Sequence, residues 1–311
     1  MTGLSHLAPG NFSNMPSTVA IITRTRNRPL LLQRAIQSVL RQNYPNWIHV
    51  IVNDGGDPQA VKTLVESHDV AYARRLIVIT HPNSLGMEAA SNAGIRASQS
   101  DYLLIHDDDD SLEPDFLKKT VEYLDNPPWP QISGVVSFTN RIDEIIDGNT
   151  VHETGRSLFK KLGECIRIDD VALLNPFPPI SFLFARKVLD EIGLYDDKLP
   201  VLGDWDFNLR FIMRYDIGVI KEPLANYHHR PTIKQGQMGN SVHAQSDLHA
   251  FYDTLVRNRF LRMMPSNYIG MLMLQNRHIN LLERLYKHPV IGRCIRLWSR
   301  WVNPSIPMNL P

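Results

Sequence analysis

Short apolar runs alternate with amphipathic stretches along the first third of the chain. The runs are rich in Val, Ile and Leu and predict buried strands, at 18–23, 49–52, 76–79 and 102–106. The stretches between them carry apolar residues at helical spacing and predict helices from Pro29, at 59–66 and at 85–97. Strands and helices that alternate in this order predict an α/β fold with a mostly parallel sheet flanked by helices.

The pattern is less regular after residue 125. Apolar runs predict three further strands, at 135–138, 180–184 and 217–220. A helix is predicted to begin at Gly203, and apolar residues recur at helical spacing again from residue 249. We therefore expect the α/β domain to continue through this region and to be followed by a helical extension.

Polar residues follow three of the first four predicted strands, at the point where each strand ends. They are Thr23 to Arg28 after the first strand, Asn53 to Asp57 after the second, and Asp107 to Asp110 after the fourth. In parallel α/β sheets the ligand binds beyond the carboxyl ends of the strands. The three segments are therefore expected to lie together at one binding edge.

Four consecutive aspartates, Asp107 to Asp110, form the most acidic of these segments. Adjacent carboxylates repel one another unless a positive charge lies among them. Oxygen ligands suit Mg²⁺ or Mn²⁺, which bind substrate phosphates as well as carboxylates. The block thus predicts a metal and diphosphate site, and the alternatives are a solvated acidic loop or an acidic start to the helix expected near residue 113.

Other phosphate-binding motifs are missing from the sequence. It contains neither Gly-x-Gly-x-x-Gly nor a Gly-Lys-Ser/Thr loop, which disfavours dinucleotide oxidoreductases and P-loop NTPases. The two cysteines, Cys165 and Cys294, are far apart, so a disulfide framework or zinc site is not expected and a reducing cytoplasm fits best. Residues 1–16 have neither the charged start nor the apolar core of a signal peptide and are interpreted as a flexible leader.

The net charge of +1 conceals an uneven distribution. From Arg257 onward there are nine Lys or Arg and one acid, whereas the first 256 residues carry a balance of −7. A basic amphipathic helix predicted at 290–302 favours an anionic membrane surface. The alternative is a helix packed on the main domain with its arginines in water, and nucleic acid is not expected because the arginines are not interleaved with stacking aromatics on a strand surface.

Taken together, these motifs resemble glycosyltransferase family 2, the inverting nucleotide-sugar enzymes with a GT-A fold. The resemblance covers roughly residues 17 to 241. Its landmarks occur in the family's order: Thr23 and Arg28, Ser38 to Gln42, Val52 to Gly56, Gly86 with Asn92 to Ile95, Asp107 to Asp110 with Pro114, and Gly203 to Asp206. The implied organisation is a leader (1–16), a GT-A domain (17–245) with a nucleotide-sugar half (17–125) and an acceptor half (126–245), and a basic helical extension (246–311).

The resemblance also implies roles for residues of the donor half. Thr23 and Asp54 would hold the nucleotide base, with Arg28 near it. Asp107 matches the first carboxylate of the family's Asp-x-Asp pattern, near the ribose, and Asp109 matches the second, which binds Mn²⁺ or Mg²⁺. Asp108 lies between them and is included among the donor-binding residues.

The acceptor half would supply the base and a further metal contact. Asp204 matches the family's catalytic base, and the alternative for this residue is an ordinary helix N-cap. His228 or His229 lies near the position where relatives carry a histidine that contacts the metal or diphosphate, and strand alternation lets only one of them do so. One departure is that the family often has Glu-Asp where this chain has Gly203-Asp204.

The activity implied is transfer of a sugar from a nucleoside-diphosphate sugar to a hydroxyl of a glycan or lipid-linked acceptor, as in bacterial surface polysaccharide synthesis. The protein would act in the cytoplasm, with peripheral attachment to the inner face of the membrane through its basic helix. The alternatives are a nucleotide- or glycan-binding module of the same fold without catalysis, and a sugar nucleotidyltransferase. The glycine-rich first loop of a nucleotidyltransferase is absent from this sequence.

Overall fold

A computed structural model describes residues 16–148, 150–231, 246–264, 288–289, 291 and 293–294. The chain divides into two compact units, Met1–Tyr252 and Asp253–Pro311. The first unit contains the sheet and all of the predicted site residues. The predicted basic helix at 290–302 falls almost entirely outside the described residues, as does most of the predicted leader.

The first half of the larger unit alternates strands and helices. In chain order its elements are β1 (Val19–Thr25), α1 (Pro29–Leu40), β2 (Trp47–Asp54), α2 (Pro58–Glu66), α3 (Val70–Ala73), β3 (Leu76–His81), α4 (Met87–Ala97), β4 (Tyr102–Asp107), β5 (Ser111–Leu112) and α5 (Phe116–Asp125). Every residue of β1 is buried, as its continuous apolar run predicts. Pro29 opens α1, where the missing N–H costs no hydrogen bond.

The second half has longer strands and shorter helices. Its elements are β6 (Ile132–Asp147), β7 (Thr150–Leu158), α6 (Ile168–Leu173), β8 (Phe182–Ala185), α7 (Leu189–Ile192), α8 (Gly203–Ile212) and β9 (Asp216–His229), with 3₁₀ turns at Pro179–Ser181 and Arg186–Val188. After it comes α9 (Ser246–Arg262). Within the described ranges, no helix is both long enough and apolar enough to cross a membrane.

One sheet joins the two halves, in the strand order β3-β2-β1-β4-β8-β6-β9-β5, with β7 paired to β6. Strands β1 to β4 are parallel to their neighbours in the first half, as predicted, whereas the short β5 pairs antiparallel with β9. The second half is mixed, because β8 runs antiparallel to β4 and β6 while β9 runs parallel to β6. The α/β fold is confirmed, and the parallel arrangement describes mainly the first half.

Helices cover both faces of the parallel strands. On one face Leu32 and Ile36 of α1 and Phe116 of α5 pack with Ile21 of β1 in the main apolar cluster. On the other face α4 packs against β1 and β2. A Cβ atom added at Gly94 would lie 2.4 Å from Ile22 Cγ2, so the small residues of α4 allow the close approach that they predict.

All three strands predicted in the second half differ in extent from their predictions, and the run at 217–220 belongs to the 14-residue strand β9. The run at 135–138 belongs to a 16-residue strand, β6, which pairs with β9 as far as His229. Much of this added length is polar and has no strand pattern of its own, so its structure depends on long-range pairing. The run at 180–184 begins instead as a 3₁₀ turn from Pro179, and the strand itself starts at Phe182.

Candidate active site

The carboxyl ends of β1, β2 and β4 meet at one edge of the sheet, as predicted. In the strand register, Arg24 lies opposite Asp107 and Thr25 lies opposite Asn53. The structure therefore brings together Arg28, Asp54 and the acidic block, which we define as Asp107 to Asp110. Asp204, in α8, also lies at this edge. The charges of Asp107 and Arg24 are among the influences on its pKa.

Arginines neutralise part of the acidic block. Asp107 accepts a hydrogen bond of 3.0 Å from Arg24 Nε, and Asp108 accepts one of 3.1 Å from Arg28 Nε. Asp109 pairs with Arg230, and Arg28 Nη1 lies 3.4 Å from the same carboxylate. Of these arginines, only Arg28 is among the site residues predicted from the sequence.

The block still carries more negative charge than its neighbours offset. Burial, opposed by Arg28 and reinforced by the charge of Asp109, raises the pKa of Asp108 to about 7. Burial also raises the pKa of Asp110 well above its ordinary value, and the charges of Asp109 and Asp107 add to this. Burial acts in the same direction on Asp109, but Arg28 and Arg230 together hold its pKa below the ordinary value. The block would therefore gain from a further cation.

Thr23 lies inside the sheet rather than at its edge. The side chain is 0% exposed, and its hydroxyl lies 2.8 Å from His49 Nε2 and 2.9 Å from His106 Nδ1. Both contacts occupy the hydroxyl group that was predicted to meet a nucleotide base. Thr25, one strand period further along β1, donates a 2.6 Å hydrogen bond to Asp108 Oδ2 and is the threonine that contacts the acidic block.

Asp54 holds a neighbouring loop in place. Its two carboxylate oxygens accept hydrogen bonds from His81 Nδ1 (2.8 Å), Ser84 Oγ (2.6 Å), Leu85 N (2.9 Å) and Gly86 N (3.0 Å). These contacts use the roughly four acceptor positions of a carboxylate. Asp54 therefore orders the chain between β3 and α4, and any part it has in donor binding acts through that loop.

Gly55 permits this arrangement. Its φ of +75° is one that L side chains rarely adopt, and an added Cβ atom would lie 2.3 Å from Ser84 N. Only glycine allows the backbone after β2 to approach the 81–86 loop this closely. Next to it, Asn27 has a φ of 54° and its Oδ1 accepts a 2.7 Å hydrogen bond from Asp57 N, which ties the loops after β1 and β2 together.

Asp204 is the second residue of α8 and is only partly exposed. The residue that precedes the helix is Leu202, which has a left-handed φ of 63° and no capping side chain, so Asp204 is not the N-cap. Its Oδ1 accepts a 2.8 Å hydrogen bond from Trp205 N, and its Oδ2 accepts one of 2.7 Å from Asn175 Nδ2. Burial raises the pKa of Asp204 above its ordinary value, which increases its basicity.

His228 and His229 face opposite sides of β9, as strand alternation predicts. The ring nitrogens of His228 lie 2.8 Å from Glu144 Oε2 and 2.9 Å from Ser111 Oγ, so both are engaged by protein groups. His229 Nδ1 lies 3.2 Å from Asp143 Oδ1. Both histidines remain predictions as metal ligands, and these contacts favour an anchoring role for His228.

A buried ionic network holds Asp109 and its partner Arg230 in place. Glu144 accepts hydrogen bonds from Arg34 Nη1 (2.6 Å) and Arg230 Nη1 (2.7 Å), and Arg34 also donates to the main-chain oxygen of Asp109. Burial would raise the pKa of Glu144, but hydrogen bonds from His228 and Arg34 lower it to about 2. The network fixes Arg230 against Asp109 through elements that are distant in sequence.

The donor set at the edge suits a hard divalent cation. The carboxylate oxygens of this edge are the candidate ligands, and burial, reinforced by the charge of Asp109, raises the pKa of Asp108 and of Asp110. Among the residues described here, no group of three or more His, Cys, Asp or Glu side chains is arranged to hold a metal ion. Mg²⁺-type ions are often bound by one or two carboxylates together with substrate phosphates and water, and Asp109 fits that mode.

Several residues of the site were missed by sequence reasoning: Arg24, Thr25, Arg34, Glu88, Glu144, Asn175 and Arg230. Arg24 and Thr25 are the last two residues of β1 and lie within the segment Thr23 to Arg28 that was expected at the binding edge, but neither was given a role. Glu144 and Arg230 reach the site because β6 pairs with β9, and no local sequence pattern predicts that pairing.

Comparison with known proteins finds a family model that matches about half of the chain. The family model described as Glycosyl transferase family 2 matches residues 20–174. Among curated proteins, the uncharacterized glycosyltransferase YwdF of Bacillus subtilis is 27% identical over 201 residues, which is 64% of this chain and 69% of that protein.

Two solved structures show the fold. S. aureus TarS 1-349 in complex with UDP-GlcNAc has a TM-score of 0.55 at 17% identity, over 70% of this chain and 60% of that one. The mannosyltransferase PcManGT of Pyrobaculum calidifontis, in complex with GDP-Man and Mn²⁺, has a TM-score of 0.57 at 16% identity, over 94% of this chain and 78% of that one. The chain thus spans about three fifths of the TarS structure that it matches.

Proposed function

The chain belongs to glycosyltransferase family 2, and on that basis we propose that it moves a sugar from a nucleoside-diphosphate donor to an acceptor hydroxyl with inversion at the anomeric carbon. The observation that carries this proposal is that the acidic block and Asp204 share one edge, where the charges of Asp107 and Arg24 influence the pKa of Asp204. Binding of the leaving group and removal of the acceptor proton then fall to neighbouring groups.

In this proposal the donor half holds the nucleotide. Asp107, fixed by Arg24, faces the ribose, and Thr25 takes the role that the sequence assigned to Thr23. Asp54 contributes by ordering the 84–86 loop, because it accepts hydrogen bonds from backbone N–H groups of that loop. Arg28 and Arg230 carry guanidinium groups beside Asp109, and such groups are also strong phosphate binders.

Asp109 is the residue proposed to hold Mn²⁺ or Mg²⁺. When bound, the cation offsets negative charge on the departing diphosphate. The Mn²⁺ complex of PcManGT supports a divalent ion for this fold, and the oxygen donors of this chain are compatible with either metal. The protein contributes a carboxylate whose position is fixed by Arg28, Arg230 and the main-chain contact from Arg34.

Asp204 is proposed as the general base. It takes the proton of the acceptor hydroxyl while that oxygen forms its bond to the anomeric carbon and the bond to the diphosphate oxygen breaks. Asn175 and Trp205 N orient the carboxylate, and its raised pKa improves proton abstraction.

The acceptor is proposed to be a glycan or a lipid-linked glycan of polysaccharide synthesis. We also propose that the enzyme works in the cytoplasm, at the inner face of the membrane, through the basic residues after 257. Sedimentation with vesicles tests this last point: binding to vesicles that contain anionic lipid, and not to neutral vesicles, is expected. Equal binding to both, or binding to neither, would contradict it.

A thermal-shift panel followed by a turnover assay tests the function. UDP or GDP is expected to stabilise the protein only when Mn²⁺ is present, by about 2.7 kcal/mol at a hundredfold excess over Kd. The matching sugar donor should then be consumed, with release of nucleoside diphosphate. Stabilisation without turnover of any donor would favour the binding-module alternative, and a protein that neither binds nor turns over any of them would contradict the proposal.

A further inference from the structure

Gly203 lies against the side chain of Glu88, a residue in the first turn of α4. A Cβ atom added at Gly203 would lie 2.3 Å from Glu88 Oε1, 2.4 Å from its Cδ and 2.5 Å from its Cγ. Real Cβ atoms essentially never lie within 3.0 Å of such an atom. The carboxyl group of Glu88 therefore occupies the space that a side chain at position 203 would fill.

The environment of Glu88 is that of a site residue rather than a surface acid. The residue is 3% exposed, although acids in the first turn of a helix are normally in water. Its Oε2 lies 3.5 Å from Arg24 Nη1 and has no hydrogen-bond partner among the residues that the structure describes. The charged and titratable groups that face it come from several elements: Arg24 of β1, Asp107 of β4, Asp196 and Tyr195 of the 193–202 loop, and Asp204 of α8.

Position 203 is also where the sequence departs from its family. The family often has Glu-Asp at the position of Gly203-Asp204, so the acid beside the base is missing from α8. In the structure the buried carboxyl of Glu88, from α4, lies against Gly203. Burial of a carboxyl is costly unless the group is paired and hydrogen-bonded. Here a glycine is also needed to make room for it.

We propose that Glu88 is a positioning residue for the sugar transfer, and that it supplies across Gly203 the carboxylate that the family's pattern places beside the base. This inference rests on the proposed role of Asp204. Glu88 and Asp107 form ion pairs with different nitrogens of the Arg24 guanidinium, Glu88 with Nη1 and Asp107 with Nη2. Glu88 therefore fixes Arg24 between the donor edge and Asp204, and its charge acts on the base directly.

The alternative is that Glu88 only fills space beside α8. Replacement by glutamine separates the two roles, because Glu88→Gln keeps the shape and loses the negative charge. We expect Glu88→Gln to lower kcat about 10- to 100-fold with little change in the donor KM, since misplacement of a site group by a fraction of an ångström has effects of that order. A space-filling role predicts activity close to wild type.

Relocation of the carboxylate is the decisive experiment. Glu88→Ala removes it, and Glu88→Ala/Gly203→Glu returns one to the same space from α8. We expect the double variant to recover at least a tenfold higher kcat than Glu88→Ala, and Glu88→Ala/Gly203→Gln to recover none. As a control on the geometry, Gly203→Ala should lower the melting temperature in the wild-type background and have little effect in the Glu88→Ala background.

The outcomes distinguish this inference from the proposed function. If wild type turns over donor and Asp204→Asn does not, but Glu88→Gln is fully active or the relocated glutamate rescues no better than glutamine, the inference is wrong and the proposed function stands. If Gly203→Ala costs the same stability in both backgrounds, the shared space is wrong. A wild-type protein without turnover would overturn both proposals.

Discussion

Two polar clusters lie one strand period apart and differ mainly in charge. The inner cluster is Thr23 with His49 and His106, buried within the sheet and hydrogen-bonded to one another. The edge cluster is the acidic block with its arginines. The inner cluster is neutral because burial lowers the pKa of His106 to about 4 and that of His49 well below its ordinary value.

The comparison separates structural polarity from functional polarity. A buried hydroxyl between two imidazoles has its hydrogen bonds satisfied by the fold and has little to offer a ligand. The edge cluster holds carboxyls whose pKa values are raised by burial and by the charges of neighbouring aspartates. Changes at the edge should therefore alter turnover and donor binding with little effect on stability, and changes in the inner cluster should do the reverse.

The largest expected effect is on Asp204. Asp204→Asn should lower kcat by about 10² to 10⁴, because removal of a general base has effects of that size. The donor KM and the melting temperature should change little. The matched control is Asp169→Asn, another aspartate in the first turn of a helix but exposed at the surface, which should remain fully active. Comparable losses in both variants would show that the effect is not specific to the edge.

Asp109→Asn should have the next largest effect. We expect about 10- to 100-fold weaker binding of nucleoside diphosphate in the presence of Mn²⁺, the size of effect seen when a metal site is disturbed. Titration calorimetry with and without EDTA measures it. In EDTA, wild type and Asp109→Asn should bind nucleotide equally weakly, and a persistent difference without metal would argue that Asp109 acts by another route.

The two threonines of β1 sharpen the comparison directly. Thr23→Val leaves two buried imidazoles without their shared partner and should reduce the free energy of unfolding by about 1–3 kcal/mol, with donor affinity unchanged. Thr25→Val should cost about 1 kcal/mol or less and weaken donor binding. Urea unfolding and a nucleotide titration on both variants provide the test, and a donor-binding defect confined to Thr23→Val would reverse the assignment.

The smallest expected effect is a pH dependence of stability from the inner histidines. Their folded pKa values lie below the unfolded value near 6.5, so below that pH the unfolded state binds more protons and stability falls. Between pH 7 and pH 5.5 the loss should be about 1 kcal/mol for each histidine. His106→Asn should remove its share, measured as the difference from wild type in urea unfolding at both pH values.

Much of the parallel half could be predicted from the sequence because its signals are local. Each buried strand is a continuous apolar run, and the binding edge follows from where those runs end. Thr23 shows the limit of such reasoning. Thr23 and Thr25 lie on the same face of β1, and only the exact end of the strand, which sequence patterns do not fix to within two residues, decides which one reaches the edge.

The rest of the site depends on contacts that have no local signal. Arg230 and Glu144 meet because β6 and β9 pair over a long stretch of mostly polar residues. Glu88 and Gly203 are separated by more than a hundred residues and are complementary only in space. Neither residue type indicates the other. The relation between the carboxylate missing at position 203 and the buried Glu88 is therefore visible only in the folded structure.

The central claim is that the acidic edge and Asp204 carry out a single displacement on a nucleotide sugar. The most direct test is proton NMR of the free sugar that is released when water takes the place of the acceptor hydroxyl, formed from the donor that the thermal-shift panel identifies and observed before its anomers equilibrate. We predict a product whose anomeric configuration is opposite to that of the donor, formed by wild type and not detectably by Asp204→Asn. A product with retained configuration, or equal rates for the two proteins, would contradict the account.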